Sequence, residues 1–186
     1  MQLREHTWTL QGERIVLRSM TEDDWDILLK WNNDPEVLYF AEGDDVSSRS
    51  LEEVQKIYRG ISQKAFCFII VFENTVIGDF WLQEMNLDRV LEKYPEADCR
   101  RVDLIIGEKR LWGQGFGTDV IRTLTRFGFE HQNADIIVAP GIGDHNPRSL
   151  RAFQKAGYRT IAMTEEPPGR KARLSYDLAI TREETV

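Results

Sequence analysis

The sequence predicts a single α/β (α+β) domain over residues 1–186, built on a mixed sheet of about seven strands with about four helices on its two faces. Three observations lead to this class. The length of 186 residues suits one domain. The hydrophobic pattern alternates along the chain between the periods of a strand and of a helix. No internal repeat, low-complexity tract or Gly-, Pro- or Ser-rich linker marks a domain boundary.

The first third of the chain predicts one strand followed by two helices. Residues 14–19 (RIVLRS) have the composition of a strand. Thr21 and the acids after it are typical of a helix start, and apolar residues then recur at helical spacing from Trp25. A second helix is expected to begin near Ser50, after an acidic loop.

The rest of the chain predicts six strands and two helices. Strands at 66–73 and 76–83 flank Asn74 and Thr75, which is the spacing of a tight hairpin. Residues 84–99 show no regular pattern. The later elements are, in order, an apolar strand at 101–107, a long helix carrying Val120 and Phe127, a short strand at 136–139, a helix at 147–156 opened by Asn146, and strands at 158–164 and 174–180.

The composition excludes several classes of protein. A net charge of −7 and a pI near 5.1 argue against nucleic acid or an anionic membrane as the partner, because phosphate binding needs a basic surface. The same balance suits a small cationic partner. Cys67 and Cys99 stand alone, so we expect neither a disulfide framework nor a metal site. Without a signal segment or a run of about 18 apolar residues, the protein is expected to be cytoplasmic.

The most informative segment is a glycine-rich loop between an apolar strand and a helix. Gly113, Gly115 and Gly117 occupy alternate positions, which lets backbone N–H groups converge on an anion beside the positive end of the helix. The loop therefore suits a pyrophosphate, although a tight turn without a ligand has the same pattern. Its spacing matches neither the Walker loop nor the G-x-G-x-x-G dinucleotide loop.

Five segments of the chain resemble one enzyme superfamily. They are LRSMTEDDWDILLKWNNDPEVLYF, IGDFWLQ, VDLIIGE, WGQGFGT and NPRSLRAFQKAGY. The last two resemble the acyl-CoA motif of the GCN-related N-acetyltransferase superfamily, and all five are similar in order and spacing to the aminoglycoside 6'-N-acetyltransferases. Relatives that acetylate protein N-termini or acylate siderophore lysines share much of this scaffold. The resemblance implies the acyl-CoA N-acyltransferase fold, a mostly antiparallel sheet, and acetyl-CoA as the acyl donor.

The resemblance also implies which residues hold the donor. Backbone amides of the loop bind its pyrophosphate, Asn146 contacts its pantetheine arm, and the backbone of the preceding strand stabilises the oxyanion. The implied donor-binding residues are Leu104, Ile105, Ile106, Gly113, Gln114, Gly115, Phe116, Gly117, Thr118, Asn146 and Phe153. Two of the chain's residues depart from the superfamily: Trp112 replaces an Arg or Gln, and Phe153 replaces a Tyr that can protonate the leaving thiolate. Tyr158 is either a substitute for that Tyr or a core residue.

Asp103 is the candidate catalytic residue. It interrupts an apolar strand, where a charge is costly unless it faces a cleft or is paired. The resemblance assigns to Asp103 the binding and deprotonation of the reacting amine. The structural alternative is an Asp paired with Arg100 or Arg101 at the sheet edge.

Further acids and aromatic residues are candidates for binding the substrate. The predicted substrate-binding acids are Asp44, Asp45, Glu84, Asp98, Asp103 and Asp144. Each is otherwise explained as a solvated surface acid. Trp31, Tyr39 and Trp81 suit either a sugar-binding face or the core. His145 is either a base or an exposed loop residue.

These observations predict a single-domain, acetyl-CoA-dependent N-acetyltransferase. Its expected substrate is a small cationic amine, the 6'-amine of an aminoglycoside, which attacks directly without an acyl-enzyme. The alternatives are a protein N-terminus, a polyamine or a siderophore lysine as acceptor, or a non-catalytic acyl-CoA-binding module, suggested by Phe153. The charge distribution favours the enzyme, since residues 22–54 contain eleven acids and two bases, whereas residues 148–173 contain seven bases and two acids.

Overall fold

The computed structural model describes residues 1–42 and 47–184. In this part of the chain it contains eight strands and six α-helices. The strands are β1 (Thr9–Gln11), β2 (Val16–Ser19), β3 (Ala65–Phe72), β4 (Thr75–Glu84), β5 (Cys99–Ile106), β6 (Ile136–Gly143), β7 (Arg159–Glu165) and β8 (Leu174–Thr181). The α-helices are α1 (Trp25–Trp31), α2 (Pro35–Ala41), α3 (Leu51–Ser62), α4 (Asp88–Leu91), α5 (Phe116–His131) and α6 (Pro147–Lys155).

All eight strands form one mixed, mostly antiparallel sheet in the order β1-β2-β3-β4-β5-β6-β8-β7. The central β5–β6 pair is parallel, and its pairing runs only from Cys99 and Ile136 to Arg101 and Val138. Beyond that point β6 loses regular pairing with β8 between Ala139 and Ile142, where proline and a left-handed glycine interrupt the strand. The sheet is therefore split along one edge of β5.

Helices cover both faces of the sheet, and each face has its own core. One core packs α5 and α6 against inward residues that include Leu17, Phe68 and Phe80. The other packs α1 and α3 against β3 and β4 through Trp31, Tyr58 and neighbouring residues. No helix in the described residues is both long enough and apolar enough to span a membrane.

The helix starts follow the physical signals in the sequence. Ser50 caps α3 with a reciprocal pair of hydrogen bonds: its backbone N–H donates to the Glu53 carboxylate (2.7 Å), and its hydroxyl accepts from the Glu53 N–H (3.3 Å). Asp34 caps α2 in front of Pro35, and its carboxylate accepts from the N–H of Glu36 (3.0 Å).

The structure adds three elements to those predicted from the sequence. These are the three-residue strand β1, the helix α2 and the one-turn helix α4. The hairpin turn also differs by one residue, since Phe72 pairs with Thr75 and the turn is Glu73–Asn74. Both turn residues have positive φ (47° and 62°), which is the geometry that matches the twist of a two-residue hairpin.

Candidate active site

A cleft of about 610 Å³ opens where β5 and β6 separate. It is lined by the exposed edge of β5, the glycine loop before α5, the end of β6, the first turns of α6, and α2. The sequence-predicted residues that line it are Asp103, Leu104, Ile105, Ile106, Gly113, Gly115, Phe116, Gly117, Thr118, Asn146 and Phe153. Gln114 is the predicted loop residue that is not among the lining residues.

The glycine loop has the shape of an anion-binding cradle. Gly113 and Gly115 have φ of 76° and 89°, and a Cβ at either position would meet no atom within 4 Å. The glycines are thus required for their backbone conformation and leave open space in front of the loop. Gly115 is the N-cap of α5, so the free N–H groups of the first helical turn face the same space. This cradle fits the phosphates of an acyl-CoA.

Hydrogen bonds connect the glycine loop and the start of α5 to the β1–β2 hairpin. The Asp119 carboxylate, in the first turn of α5, accepts from the backbone N–H groups of Glu13 and Arg14 (2.8 Å each). The Arg14 guanidinium donates to the Gln114 carbonyl (2.9 Å) and lies 4.0 Å from the Phe116 ring centroid. Gly12 permits this approach, because a Cβ there would lie 2.7 Å from the Asp119 carboxylate.

Asn146 connects α6 to α2. As the N-cap of α6, its side-chain oxygen accepts from the Ser149 N–H (3.2 Å), and its amide donates to the Phe40 carbonyl (3.0 Å). Asn146 therefore lines the cleft in a fixed orientation.

Asp103 lies in the cleft on β5, and its side chain is 31% exposed. Its carboxylate accepts two hydrogen bonds from the Arg101 guanidinium (3.1 and 2.9 Å), so both readings of this residue hold together: it is paired and it faces the cleft. Burial raises the pKa of Asp103, against the opposing effect of Arg101. The Trp81 N–H favours the charged carboxylate, although it makes no hydrogen bond of ordinary geometry within the described residues.

Next to Asp103, the backbone of β5 presents an open edge. Leu104, Ile105 and Ile106 pair with β4 on one side, but on the other side the pairing with β6 has already ended. Alternate N–H groups of this segment therefore point into the cleft without a strand partner. Such N–H groups can donate hydrogen bonds to a carbonyl oxygen that gains negative charge.

A second buried carboxyl lies close to this strand. Asp79 on β4 is fully buried and opposite Ile105, and burial raises its pKa to about 8. One of its oxygens accepts from the Tyr58 hydroxyl (3.3 Å), and the other has no hydrogen-bond partner in the described part of the chain. Burial also raises the pKa of the Tyr58 hydroxyl, so a neutral Asp79–Tyr58 pair is favoured.

Neither aromatic residue near α6 supplies a proton. Phe153 is buried and its ring packs edge-on against Tyr158, 5.0 Å away. Tyr158 is a core residue whose hydroxyl pairs with the Thr125 hydroxyl (2.8 Å), and its burial raises its pKa further above the ordinary range. Tyr158 is not among the cleft residues.

Three of the predicted substrate-binding acids lie outside the cleft. Glu84 lies opposite Arg100, near the far end of the β4–β5 pair. Asp98 forms a forked ion pair with Arg100 (2.6 and 2.9 Å), and Asp144 accepts from the Arg173 N–H (3.0 Å); none of these three acids lines the cleft. Asp44 and Asp45 lie outside the described residues.

Two acids that line the cleft were missed by sequence reasoning. Glu42 follows α2 and forms an ion pair with Arg49 (2.8 Å). Glu166 follows β7 and accepts from the Ser175 hydroxyl (2.5 Å). The Asp34–Pro35 helix start is a local signal for α2 and hence for the position of Glu42, whereas nothing local marks Glu166.

The aromatic candidates divide between core and cleft rim. Trp31 is buried, packed against Gly107, where a Cβ would lie 2.2 Å from the indole. Trp81 is half-buried beside Asp103, and Tyr39 is 45% exposed. His145 lines the cleft with Tyr39 and Phe40 near its ring, and both of its ring nitrogens lack partners among the described residues.

Comparisons with known proteins agree with this geometry. Residues 14–159 match the family model of the acetyltransferase (GNAT) domain. The chain is 24% identical over 166 residues to an aminoglycoside N(6')-acetyltransferase type 1 of Klebsiella pneumoniae, a match that covers 87% of this chain and 82% of the relative. It is 28% identical over 153 residues to the N(6)-hydroxylysine O-acetyltransferase of Escherichia coli, covering 80% of this chain and 47% of the relative.

Two further matches concern length and fold. An uncharacterized protein of Methanocaldococcus jannaschii is 23% identical over 80% of this chain, which spans 29% of that protein's length. The structure of AAC(6')-Ib in complex with ribostamycin and coenzyme A superposes with a TM-score of 0.76 at 23% identity, covering 92% of this chain and 96% of that one. This likeness shows that the fold is shared.

The AAC(6')-Ib structure that shares this fold contains coenzyme A. The family match extends over most of the chain, and the protein belongs to the acetyltransferase (GNAT) family. It is an N-acetyltransferase of that family with acetyl-CoA as its acyl donor.

Proposed function

We propose that this protein transfers an acetyl group from acetyl-CoA to a primary amine of a small molecule, the 6'-amine of an aminoglycoside being the first candidate. The observation that carries the proposal is the shared cleft, which joins the Asp103 carboxylate, the open edge of β5 and the glycine loop. Both cysteines are buried and neither lines the cleft, so a thiol acyl-enzyme is disfavoured and direct attack by the amine is favoured.

Asp103 binds the ammonium form of the acceptor and orients it. Burial raises the pKa of Asp103, and Arg101 opposes that effect. In this proposal the contribution of Asp103 is mainly electrostatic, and the amine proton passes on to water. Arg101 holds the carboxylate by two hydrogen bonds and fixes its direction. This positioning reduces the entropic cost of bringing amine and carbonyl together.

The backbone of Leu104–Ile106 stabilises negative charge on the carbonyl oxygen during the attack. Acetyl-CoA, when bound, supplies the activated acetyl group and a thiolate leaving group. Phe153 cannot protonate the leaving sulfur. An acid on α6 is not required, because a thiol with a pKa of about 8.5 can leave as the thiolate.

Two observations support an aminoglycoside as acceptor. Glu42 and Glu166 line the same cleft as Asp103, so three carboxylates surround the space for a cation. The Klebsiella pneumoniae relative, which matches over most of both chains, carries the name of such an enzyme.

A lysine-type amine is the second candidate. Arg101 and Arg49 already neutralise Asp103 and Glu42, which leaves less negative charge for a polycation than the carboxylates alone suggest. An acceptor with one amine fits that balance. The relative from Escherichia coli is named for O-acetyl transfer to the lysine derivative N(6)-hydroxylysine, so it supports a lysine-like acceptor but not the acceptor atom.

The deciding experiment incubates the purified protein with acetyl-CoA and a panel of aminoglycosides, polyamines, lysine and hydroxylysine derivatives, and peptides. Thiol release measures turnover, and mass spectrometry locates the added acetyl group. Acetylation of aminoglycosides at the 6'-amine supports the first candidate. Turnover confined to lysine derivatives supports the second, and CoA binding without turnover on any amine supports a non-catalytic binding module.

The proposal includes a cytoplasmic location and no nucleic-acid partner. The isolated, buried cysteines and the net charge of −7 support these two parts. A function in antibiotic resistance follows only if aminoglycosides prove to be good substrates.

A further inference from the structure

The Arg148 guanidinium is held between two aromatic rings at the rim of the cleft. Its central carbon lies 4.2 Å from the ring centroid of Phe40 and 4.1 Å from that of Trp112. The two rings are perpendicular (89°), with centroids 5.6 Å apart. Three separate segments, α2, the glycine loop and α6, thus fix the position of one cation.

The hydrogen-bonding capacity of this cation remains unused. Arg148 is exposed and makes no hydrogen bond or ion pair with the residues that the structure describes. Contacts with ring faces stabilise the charge but satisfy none of the five N–H donors of a guanidinium. By contrast, the neighbouring cleft residue Arg151 donates through Nε to the Pro147 carbonyl (3.1 Å). Arg148 is therefore fixed in place with its donors available to a ligand.

The position of Arg148 indicates what that ligand is. Trp112, on which the guanidinium stacks, directly precedes Gly113 of the anion cradle, and Arg148 lines the same cleft as Gly113 and Gly115. The cradle offers backbone N–H groups, while Trp112 itself carries no charge. A planar guanidinium matches the oxygens of a phosphate group.

We propose that Arg148 binds a phosphate group of the acyl donor, supplying from α6 the positive charge that Trp112 does not provide at the start of the glycine loop. The Trp112 ring then has a defined role in the site, because it holds the Arg148 guanidinium beside the cradle. Phe40 completes the stack and extends it to α2.

The experiment measures CoA binding in the absence of any acceptor, so its result is independent of which amine is acetylated. Arg148→Gln removes the charge, Arg148→Lys retains it without the planar fork, and Arg159→Gln is the matched control. Arg159 is 77% exposed, is not a cleft residue, and its loss changes the net charge equally. Calorimetric titration gives Kd for CoA, and thermal unfolding verifies that each variant folds.

We expect the Kd for CoA to rise about 10-fold in Arg148→Gln, as for the loss of one charge-assisted hydrogen bond. The Kd of Arg148→Lys should lie between those of Arg148→Gln and the wild type. The Kd of Arg159→Gln should stay within about 2-fold of the wild-type value. Added salt should reduce the difference between the variants.

Two related ligands separate phosphate binding from a packing effect. Pantetheine has no phosphate, so its affinity should not change in Arg148→Gln. Binding of 3'-dephospho-CoA identifies the phosphate. If Arg148→Gln still binds this ligand more weakly than the wild type does, Arg148 contacts the pyrophosphate. If the two proteins bind it equally, Arg148 contacts the 3'-phosphate. The proposal is overturned if CoA binds Arg148→Gln as it binds the wild type, or if pantetheine weakens by the same factor.

Discussion

Asp103 combines two properties that the sequence presents as alternatives. It is paired with Arg101 on its own strand, and it also faces the cleft. The ion pair favours the charged form of the carboxylate in a partly desolvated position, and the remaining exposed surface is available to an incoming ammonium. The pairing with Arg101 fixes the direction of the carboxylate and is compatible with the proposed role of Asp103.

Asp103→Asn should lower kcat/KM for the best acceptor by about 100-fold, because it removes the charge that orients the ammonium group while preserving shape. The Kd for CoA should stay unchanged. Steady-state kinetics and CoA titration measure the two effects separately. Glu84→Gln is the control, since Glu84 lies near the far end of β5. Equal activity of Asp103→Asn and wild type would remove Asp103 from the mechanism.

Asp79 predicts a distinctive pH dependence of stability. Its pKa is raised from 3.8 in the unfolded chain to about 8 in the folded protein, so the folded state retains a proton that the unfolded state releases. Folding stability from this group is therefore complete below about pH 4, falls as the pH rises towards 8, and is constant above it.

Asp79→Asn should abolish this fall, because the amide cannot ionise and the Tyr58 hydroxyl still has an acceptor. Urea unfolding at pH 5 and pH 8.5 should show a smaller loss of stability in the variant than in the wild type. If the free energy of unfolding changed equally with pH in the two proteins, Asp79 would already be ionised in the folded state.

At the scale of elements, replacing either of two glycines with alanine should change stability in opposite directions. Gly115 has a positive φ, whereas Gly60 lies inside α3, and a Cβ would meet no atom within 4 Å at either position. Gly115→Ala should destabilise the protein by about 1–2 kcal/mol through backbone strain alone. Gly60→Ala should stabilise it by about 0.5–1 kcal/mol, because alanine loses less backbone entropy in a helix.

Urea unfolding with a constant m-value measures both changes. Only Gly115→Ala should also weaken CoA binding, since only this residue belongs to the cradle. A Gly115→Ala protein with unchanged stability would show that the loop does not need its left-handed residue.

The elements that the sequence predicts correctly are those with a strong local signal. The apolar strand before the glycine loop, the start of α3 and the start of α6 all carry caps or periodicity within a few residues. Helix α2 has such a signal at Asp34 and Pro35, but its seven residues form no periodic pattern long enough to recognise.

The composition of the cleft could be predicted only in part. Asn146 meets Phe40 across 106 positions of sequence, and Glu166 reaches the cleft through pairing of β7 with β8. Such contacts depend on strand register and tertiary packing, which leave no local pattern. Charge alone does not indicate that Glu84 and Asp98 lie outside the cleft, because strand register sets their positions on the sheet.

At the scale of the molecule, the cleft unites segments that are distant along the chain: α2, β5, the glycine loop, β6 and α6. A ligand that binds across these segments binds the folded state and not the unfolded state. CoA at 100 times its Kd should therefore stabilise the protein by about 2.7 kcal/mol, which is a rise in Tm of roughly 5–10 °C for a chain of this size.

Thermal unfolding at increasing CoA concentration measures this effect. Arg148→Gln should need a higher concentration for the same shift. If the Tm did not respond to CoA, the cleft would not be the donor site.

The junction between Asp119 and the β1–β2 hairpin links two distant regions during folding. The Asp119 carboxylate is buried, and its hydrogen-bond donors are the backbone N–H groups of Glu13 and Arg14. Until the hairpin docks, the Asp119 carboxylate lacks these two donors, and the glycine-loop cradle has no support from behind. We therefore expect the glycine-loop cradle to depend on hairpin docking. Shortening the chain at its beginning removes no cleft residue but should weaken CoA binding.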